Sequence, residues 1–324
     1  MTTGKIIREV EIIALDGTPL KIPVEHVEKN SGGVRAEVIK FSGDDPDITN
    51  GASVFTTVKK ISGDEIIFRA GVGVGTITKA GLQLKIGEPA INPAPRKLIQ
   101  NVAAEFKIGG LEVEISIPNG AELAKKTLNP VLGVEGGLSI IGTTGILRPM
   151  SEDAFKNSLV PQIDVAKAAG FETLIFVPGK IGEDIAKKIG FDSGAIIQTS
   201  NFIGFMLEAA AERKIKKIIL CGHVGKLAKV AAGVFHTHNR VADCRLETLA
   251  AYSAAEGLQS SEVQKILDAN TTEDAAQIIS ANHLEKVYKK IATRASLRAE
   301  RYVFGKLNVE TILVDYAGNI LGSG

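Results

Sequence analysis

The residues best suited to chemistry lie in a basic, histidine-containing segment of the last third of the chain. It runs Gly222-His-Val-Gly-Lys-Leu-Ala-Lys229 and continues through His236-Thr-His238-Asn-Arg240 to Asp243-Cys-Arg245. Three of the five histidines, two lysines and two arginines face a single acid there, Asp243. Because the whole chain has 38 Lys and Arg against 37 Asp and Glu, this positive charge is local. A local basic excess after a strand-like run predicts a site for a small polyanion.

The two lysines of this segment are candidate ligands for substrate carboxylates. Lys226 and Lys229 are spaced i, i+3 on a helix predicted after a strand that ends at Cys221. The free N–H groups at the start of such a helix suit a carboxylate or a phosphate. Gly222-x-x-Gly225-Lys226 is not a Walker A loop, because it is two residues short and Leu227 replaces the required Ser or Thr. The alternative, that both lysines are only solvated, stays open.

The histidines are candidates for acid–base chemistry or for orienting a ligand. His223 and His238 adjoin the basic residues, and imidazole titrates near neutral pH. His236-x-His238 has metal-like spacing only if extended, since residues i and i+2 diverge by about 200° on a helix. No acid or cysteine is spaced nearby in an obvious ligand pattern, so the sequence predicts no metal site.

Composition excludes several classes of protein. The 324 residues, 44% hydrophobic and 23% charged, are typical of a soluble globular protein of two domains. A net charge of +1 argues against a nucleic-acid binder. No apolar run approaches the roughly 20 residues of a membrane span, and no signal pattern is seen, which predicts a cytoplasmic protein. Cys221 and Cys244 are expected to be reduced thiols, although a disulfide between them stays open.

The hydrophobic pattern divides the chain into two predicted domains. Residues 1–134 alternate as strands do, with a hairpin turn at Asp16-Gly17, and predict an α+β domain with a mostly antiparallel sheet. In residues 135–324 apolar runs alternate with helical stretches, which predicts βαβ units and an α/β domain with a mostly parallel sheet. Ser261-x-x-Gln264 and Thr271-x-x-Asp274 predict capping boxes at two helices. The predicted parallel strands are Leu138–Ile141, Thr173–Val177, Ala195–Gln198 and Lys217–Cys221.

A glycine and threonine segment is the candidate site for a methyl donor or for one edge of a substrate. Gly142, Thr143, Thr144 and Gly145 follow the run predicted as the first parallel strand, and ligands bind beyond the carboxyl ends of such strands. The glycines permit close approach, the threonines offer hydroxyls, and Arg148 can hold a carboxylate.

A second glycine-rich segment, Gly71-Val-Gly73-Val-Gly75, superficially matches a dinucleotide fingerprint. That fingerprint requires a helix to follow, and Thr76-Ile-Thr-Lys-Ala-Gly81 is a poor helix start. A tight loop between strands is therefore the favoured interpretation.

Several long runs together resemble one family over nearly the full length. They are Ser42–Gly51, Gly71–Leu82, Gly87–Arg96, Ile117–Gly120, Ala124–Thr127, Gly136–Gly145, Asn201–Phe205 and Gly222–Lys226 through Thr237–Arg240. The chain resembles CbiD, the cobalt-precorrin-5B C1-methyltransferases of anaerobic cobalamin biosynthesis. The resemblance implies transfer of a methyl group from S-adenosylmethionine to ring carbon C1, which gives cobalt-precorrin-6A. It also implies a first domain like domain 2 of ribosomal protein S5 and a Rossmann-like second domain.

The resemblance gives the candidate residues their expected roles. The substrate carries many carboxylates, for which the expected partners are Arg148, Lys226, Lys229, Arg240 and Arg245. The segment Gly142–Gly145 is expected near the methyl donor, and His223 or His238 would orient the macrocycle or manage a proton. Two alternatives stay open: an NAD(P)-dependent oxidoreductase acting on an anionic metabolite, and a non-catalytic tetrapyrrole or cobalt carrier. The oligomeric state is left open.

The chain departs from the family pattern at its start. Members of the family begin with a Thr-Thr-Gly turn that leads into an alanine-rich helix, whereas Thr2-Thr3-Gly4 here runs into the strand predicted over Lys5–Leu15. One face of the first sheet is therefore expected to be uncovered.

Overall fold

The computed structural model describes residues 6–30, 33–43, 47–142 and 152–324. The chain forms two compact units, Met1–Glu152 and Asp153–Gly324. The predicted division at 134/135 lies nearer the amino terminus than the structural one. Thr2-Thr3-Gly4, where the sequence departs from the family pattern, lies outside the described residues.

The first unit consists mainly of strands. Its elements in chain order are β1 (Glu9–Ile13), β2 (Pro19–Pro23), β3 (His26–Asn30), β4 (Gly33–Ile39), β5 (Ser53–Lys60), β6 (Ile66–Ala70), β7 (Gly73–Val74), β8 (Thr76–Ile77), α1 (Pro93–Glu105), β9 (Leu111–Ser116), α2 (Gly120–Ala124), α3 (Asn129–Leu132), β10 (Val134–Glu135) and β11 (Gly137–Leu138). The hairpin predicted at Asp16-Gly17 is confirmed, because β1 pairs antiparallel with β2. The main sheet has the order β3-β4-β5-β9-β6, in which only the β6–β9 pair is parallel.

Close backbone contact explains several glycines of the first unit. A Cβ at Gly120 would lie 2.0 Å from the carbonyl oxygen of Gly73, and one at Gly137 would lie 2.1 Å from the same atom. Side chains at these positions would push the backbones apart. The segment Gly71–Gly75 is therefore the tight loop that its sequence predicts, and β7 within it pairs with β11.

The strand prediction at Leu138–Ile141 is wrong in its placement. β11 pairs in parallel with β7, β10 pairs antiparallel with β8, and Ile140 is bridged to Ile91. All of these partners belong to the first unit. The apolar residues of this segment pack into that unit's core, where Leu138 is buried. Residues 134–140 therefore close the first unit instead of opening the parallel sheet.

The second unit contains the parallel sheet. Its elements are α4 (Glu152–Leu159), α5 (Pro161–Ala168), β12 (Thr173–Val177), α6 (Lys180–Lys188), the 3₁₀ turn Ser193–Ala195, β13 (Ile196–Gln198), α7 (Ile203–Glu212), β14 (Lys217–His223), α8 (Val224–Ala232), α9 (Arg245–Ala255), α10 (Ser260–Leu267), α11 (Thr272–Ala281), α12 (Lys286–Tyr302), β15 (Asn308–Val314) and β16 (Ile320–Ser323). The sheet order is β13-β12-β14-β15-β16. Its first three pairs are parallel, and β16 is antiparallel to β15.

The strand order fixes where a ligand is expected. Strand β13 lies on one side of β12 and β14 on the other, so the direction of the chain connections reverses at β12. Open parallel sheets bind ligands beyond the carboxyl ends of the strands at such a reversal. The capping box predicted at Thr271-x-x-Asp274 is confirmed at α11, beside this edge. The one predicted at Ser261 is wrong, since α10 follows Gln259 without a side-chain cap.

Candidate active site at the carboxyl edge of the parallel sheet

His223 is held rigidly where β14 passes into α8. Its Nδ1 accepts a hydrogen bond from the backbone N–H of Gly225 at 3.1 Å, which caps the helix. Its Nε2 lies 2.6 Å from Oε1 of Glu273, and only 9% of the imidazole side chain is exposed. Because Nδ1 is the acceptor, the proton of the neutral ring is on Nε2 and is donated to Glu273. Both ring nitrogens are therefore occupied.

Two neighbours of His223 were not predicted from the sequence. Glu273 lies in the first turn of α11, and its side chain is 34% exposed. Tyr316 follows β15, and its ring stacks on the imidazole with the ring centres 4.0 Å apart. They lie far from His223 in the sequence, so no spacing rule joins them. The confirmed capping box at Thr271 was the one local signal that a helix start lies here.

Lys226 lies one turn along α8 from His223, on the same edge. Its Nζ donates a hydrogen bond to Oδ1 of Asn201, the residue that follows β13 and Thr199-Ser200. Burial lowers the pKa of Lys226 below its ordinary value, and the positive charge of Lys229 lowers it further. An ammonium with one protein acceptor still has two donors to offer an anion.

Lys229 does not occupy the position that the sequence suggested. Its side chain is fully buried, and Nζ donates to the carbonyl oxygens of Thr237 at 3.3 Å and Ala242 at 2.8 Å and to Oδ1 of Asn239 at 2.7 Å. These three acceptors use all three donors of an ammonium. Lys229 is therefore corrected from a substrate ligand to the anchor of the loop 237–242, since a buried, satisfied ammonium has nothing left for a carboxylate.

The anchored loop presents the remaining predicted residues. His238 and Arg240 are exposed, and Nδ1 of His238 accepts a hydrogen bond from the Arg240 backbone N–H at 3.1 Å. Within the described ranges the Arg240 guanidinium has no ion-pair partner. Arg245 makes a two-pronged contact with Asp243, Nε to Oδ1 at 2.7 Å and Nη2 to Oδ2 at 2.8 Å.

The charges of the Arg245–Asp243 pair and of the residues around His223 act on each other. The pKa of Arg245 lies above its ordinary value, first because Asp243 accepts its hydrogen bonds and further because the charges of Tyr316 and Glu273 act on it. Asp243 also lies 3.8 Å from the Nζ of Lys229. The structure thus brings His223, Lys226, Lys229 and Arg245 to one edge, with His238 and Arg240 on the loop that Lys229 anchors.

A row of aromatic rings lies beside this loop. The ring of Phe202 is 5.1 Å from that of His236, nearly parallel to it, and 5.8 Å from that of Phe155 at a steep angle. Phe202 and His236 are also joined by a backbone bridge. Phe155 is 51% exposed, so part of this aromatic cluster is open to solvent.

Most of the segment predicted to bind the methyl donor lies outside the described residues. Gly142 is exposed and belongs to the first unit, after β11. Thr143, Thr144, Gly145 and Arg148 lie outside the described residues, so their roles stay predictions. The sequence predicts that these residues follow a strand of the parallel sheet. The strand that precedes them, β11, pairs with β7 in the first unit instead.

Metal and thiol chemistry find no support in the described ranges. No group of three or more His, Cys, Asp or Glu residues there is arranged to hold a metal ion. Cys221 and Cys244 are both free, and burial raises the pKa of Cys221 to about 11, which makes it a poor nucleophile. No helix in the part of the chain described is long and apolar enough to cross a membrane.

Comparisons with known proteins identify relatives over the whole chain. Residues 1–149 match the model of the family CbiD, and residues 236–324 match that of the CbiD C-terminal domain. A cobalt-precorrin-5B C(1)-methyltransferase of Moorella thermoacetica is 49% identical over 98% of this chain and 88% of its own. The protein of the same name from Methanocaldococcus jannaschii is 48% identical over 99% of this chain and 90% of its own.

A solved structure, a cobalamin biosynthesis protein (cbiD) from Archaeoglobus fulgidus, is 27% identical and covers 74% of this chain and 75% of its own, with a TM-score of 0.37. The family models together cover more than half of the chain, and the relatives are similar over nearly all of it. The chain belongs to the CbiD family.

Proposed function

We propose that this protein transfers a methyl group from S-adenosylmethionine to C1 of cobalt-precorrin-5B, giving cobalt-precorrin-6A. The observation that carries this proposal is the 49% identity, over 98% of the chain, to a protein with that named activity. The chemistry of the carboxyl edge agrees with it, because that edge offers cationic groups to a polyanionic ligand.

The macrocycle is flat, apolar and bordered by carboxylates. Lys226 and Arg240 supply positive charge to those carboxylates, while Arg245 is already paired with Asp243 and contributes less. The aromatic cluster of Phe155, Phe202 and His236 offers apolar contact to the ring. Lys229 acts indirectly, by holding the loop that carries Arg240.

Methyl transfer from a sulfonium to carbon is an in-line displacement, and the protein's main task is to align the two reactants. Holding them in a near-attack geometry and excluding water supplies several kcal/mol of the barrier reduction. His223, with both nitrogens engaged, is better suited to fix neighbouring groups than to exchange a proton. His238, exposed on its loop, is placed to orient the macrocycle.

The segment Gly142–Gly145 is proposed to contact the methyl donor or one edge of the substrate, and Gly142 provides a direct test. A Cβ at Gly142 would meet Pro95 Cγ at 3.9 Å, an ordinary van der Waals contact, so a side chain can be introduced at this position. Gly142→Trp should lower the affinity for S-adenosylmethionine or for the macrocycle at least about tenfold by occupying the space of that ligand. Unchanged affinity for both ligands would remove this segment from the site.

The fold assignments are proposals of the same kind. The first unit is proposed to be like domain 2 of ribosomal protein S5, supported by its five-stranded sheet with one parallel pair. The second is proposed to be Rossmann-like, supported by its three parallel strand pairs. A cytoplasmic location accords with two free cysteines.

The proposed reaction is tested by anaerobic incubation of the protein with cobalt-precorrin-5B and S-adenosylmethionine, followed by mass spectrometry. The expected product is one methyl group heavier, and S-adenosylhomocysteine is released with it. Binding of the corrinoid without product would identify a carrier instead. Binding of NAD(P), with no methylated product, would identify an oxidoreductase.

A further inference from the structure

We propose that Glu273 and Tyr316, held in place by His223, form a binding corner for the positive charge of the methyl donor. The inference rests on the proposed function, because it assigns this corner to the cation of S-adenosylmethionine. That molecule carries two cationic groups, a sulfonium and an α-ammonium, whereas the macrocycle is anionic. A site that binds one cationic and one anionic substrate needs a negatively charged part and a positively charged part.

Glu273 is an acid without a cationic partner on an otherwise basic edge. Within the described residues no Lys or Arg forms an ion pair with it; its Oε1 lies 2.6 Å from Nε2 of His223, and its Oε2 accepts a hydrogen bond from the Thr272 hydroxyl at 3.1 Å. That imidazole is neutral when Nδ1 accepts from Gly225, so it orients the carboxylate without neutralising it. Arg245, the nearby cation, is paired with Asp243. The negative charge of Glu273 therefore stays available to a ligand.

Tyr316 adds a π face to this carboxylate. Its ring is 63% exposed and is stacked on His223, which is itself fixed by two hydrogen bonds. One face of the tyrosine is covered by the imidazole, and the exposed remainder is rigidly presented. A cation over an exposed aromatic face gains about two- to fivefold in affinity, and a carboxylate beside it adds to the attraction.

A buried tyrosine, Tyr288, is subject to the same negative charge. Tyr288 is 3% exposed, and its hydroxyl has no hydrogen-bond partner in the part of the chain described. Burial raises its pKa, and the negative charges of Glu285, Glu273 and Asp315 raise it further.

The geometry of His223 joins the two sides of the edge. Lys226 lies one turn of α8 after His223 and donates a hydrogen bond to Asn201. Glu273 contacts the edge of the imidazole ring of His223, and Tyr316 stacks on the face of that ring. Placing the anionic macrocycle on the lysine side and the cationic donor on the carboxylate side would keep like charges apart.

The test measures binding of S-adenosylmethionine and of S-adenosylhomocysteine by calorimetry in the wild type and in Glu273→Gln. Glutamine keeps an oxygen that accepts from His223, so this variant removes the charge and retains the contact. A fall in affinity of about tenfold or more is expected. Equal losses for both ligands assign the corner to the α-ammonium, and a larger loss for S-adenosylmethionine assigns it to the sulfonium.

The second variant pair separates the aromatic face from the hydroxyl. Tyr316→Leu should weaken donor binding about threefold, and Tyr316→Phe by less than about twofold, because phenylalanine keeps the π face. Glu262→Gln, which removes a carboxylate on neighbouring α10, should leave binding unchanged.

Wild-type affinity in Glu273→Gln for both ligands would overturn the inference, even if the enzyme makes the methylated product. Loss of binding in that variant, with no methylated product from the wild type, would instead support the corner and refute the proposed reaction. If circular dichroism shows that Glu273→Gln has lost its fold, Glu273→Asp is measured in its place. Aspartate keeps the negative charge, so binding of the donor should be retained.

Discussion

The ammonium of Lys229 lies 2.7 Å from the side-chain oxygen of Asn239, inside a fully buried position. A lysine from the middle of α8 thus reaches a loop ten residues further along the chain and binds it at three points. This single side chain determines where His238 and Arg240 are held, although it does not contact a ligand itself.

Replacement of Lys229 by methionine should destabilise the second unit by about 2–4 kcal/mol, because the oxygens of Thr237, Asn239 and Ala242 lose a charged donor. The free energy of unfolding in urea measures this. Lys265→Met, at a lysine that is 64% exposed and paired with Glu262, is the control and should change stability by less than about 0.5 kcal/mol. Unchanged stability in Lys229→Met, with a raised KM, would return this lysine to the substrate ligands.

The charge of Lys226 should make substrate binding sensitive to alkaline pH. Burial lowers its pKa from the ordinary 10.5, and Lys229 lowers it further, so the ammonium loses its proton at a lower pH than a free lysine does. The KM for the macrocycle should therefore rise as the pH increases from about 7 to about 10. In Lys226→Arg the guanidinium stays charged throughout, and the rise should disappear. The same rise in both proteins would assign it to another group.

The glycine contact between α2 and β7 should be intolerant of any side chain. Gly120→Ala places a Cβ 2.0 Å from the carbonyl oxygen of Gly73, and the backbone must move to relieve it. We expect a loss of about 2–3 kcal/mol in the free energy of unfolding of the first unit. Gly142→Ala, with 3.9 Å to its neighbour, is the matched control and should be within about 0.5 kcal/mol of the wild type. Equal stability of the two variants would contradict this account.

Arg96 should be irreplaceable by lysine in the first unit. Its guanidinium donates to the carbonyl oxygens of Ile91 at 2.7 Å and Pro89 at 3.2 Å and to Glu88 Oε1 at 2.8 Å. An ammonium cannot reproduce this fork, so Arg96→Lys should cost about 1–2 kcal/mol in thermal or urea unfolding. Arg69→Lys, at a 57% exposed ion pair with Glu112, should have little effect.

The same contact predicts a dependence of stability on acid. The pKa of Glu88 is lowered from 4.5, first by the Lys85 backbone N–H and then by Arg96. A carboxyl with a lowered pKa in the folded state stabilises the protein above its unfolded pKa, and this contribution is lost as the pH falls through the folded value. The stability of Arg96→Lys should therefore fall less steeply below about pH 4.5 than that of the wild type. Parallel curves for the two proteins would refute the link.

Local pattern determined much of this protein. The hairpin at Asp16-Gly17, the strand Thr173–Val177 and the capping box at Thr271 were all predictable, because each depends on side chains within a few residues of one another. The long runs that resemble CbiD also sufficed to predict the family.

Tertiary structure decided the rest, for reasons of burial and long-range contact. The sequence predicts that Lys229 is a cation at the surface. In the structure its side chain is buried, and three acceptors of a later loop bind its ammonium group. The sequence pattern predicts that Leu138 belongs to the first strand of the parallel sheet, yet it pairs with β7, a strand far upstream in the first unit. Glu273 and Tyr316 meet at His223 because β14 and β15 end, and α11 begins, at one edge of the sheet. Sequence spacing specifies elements, whereas only the packing of those elements specifies which distant side chains share a site.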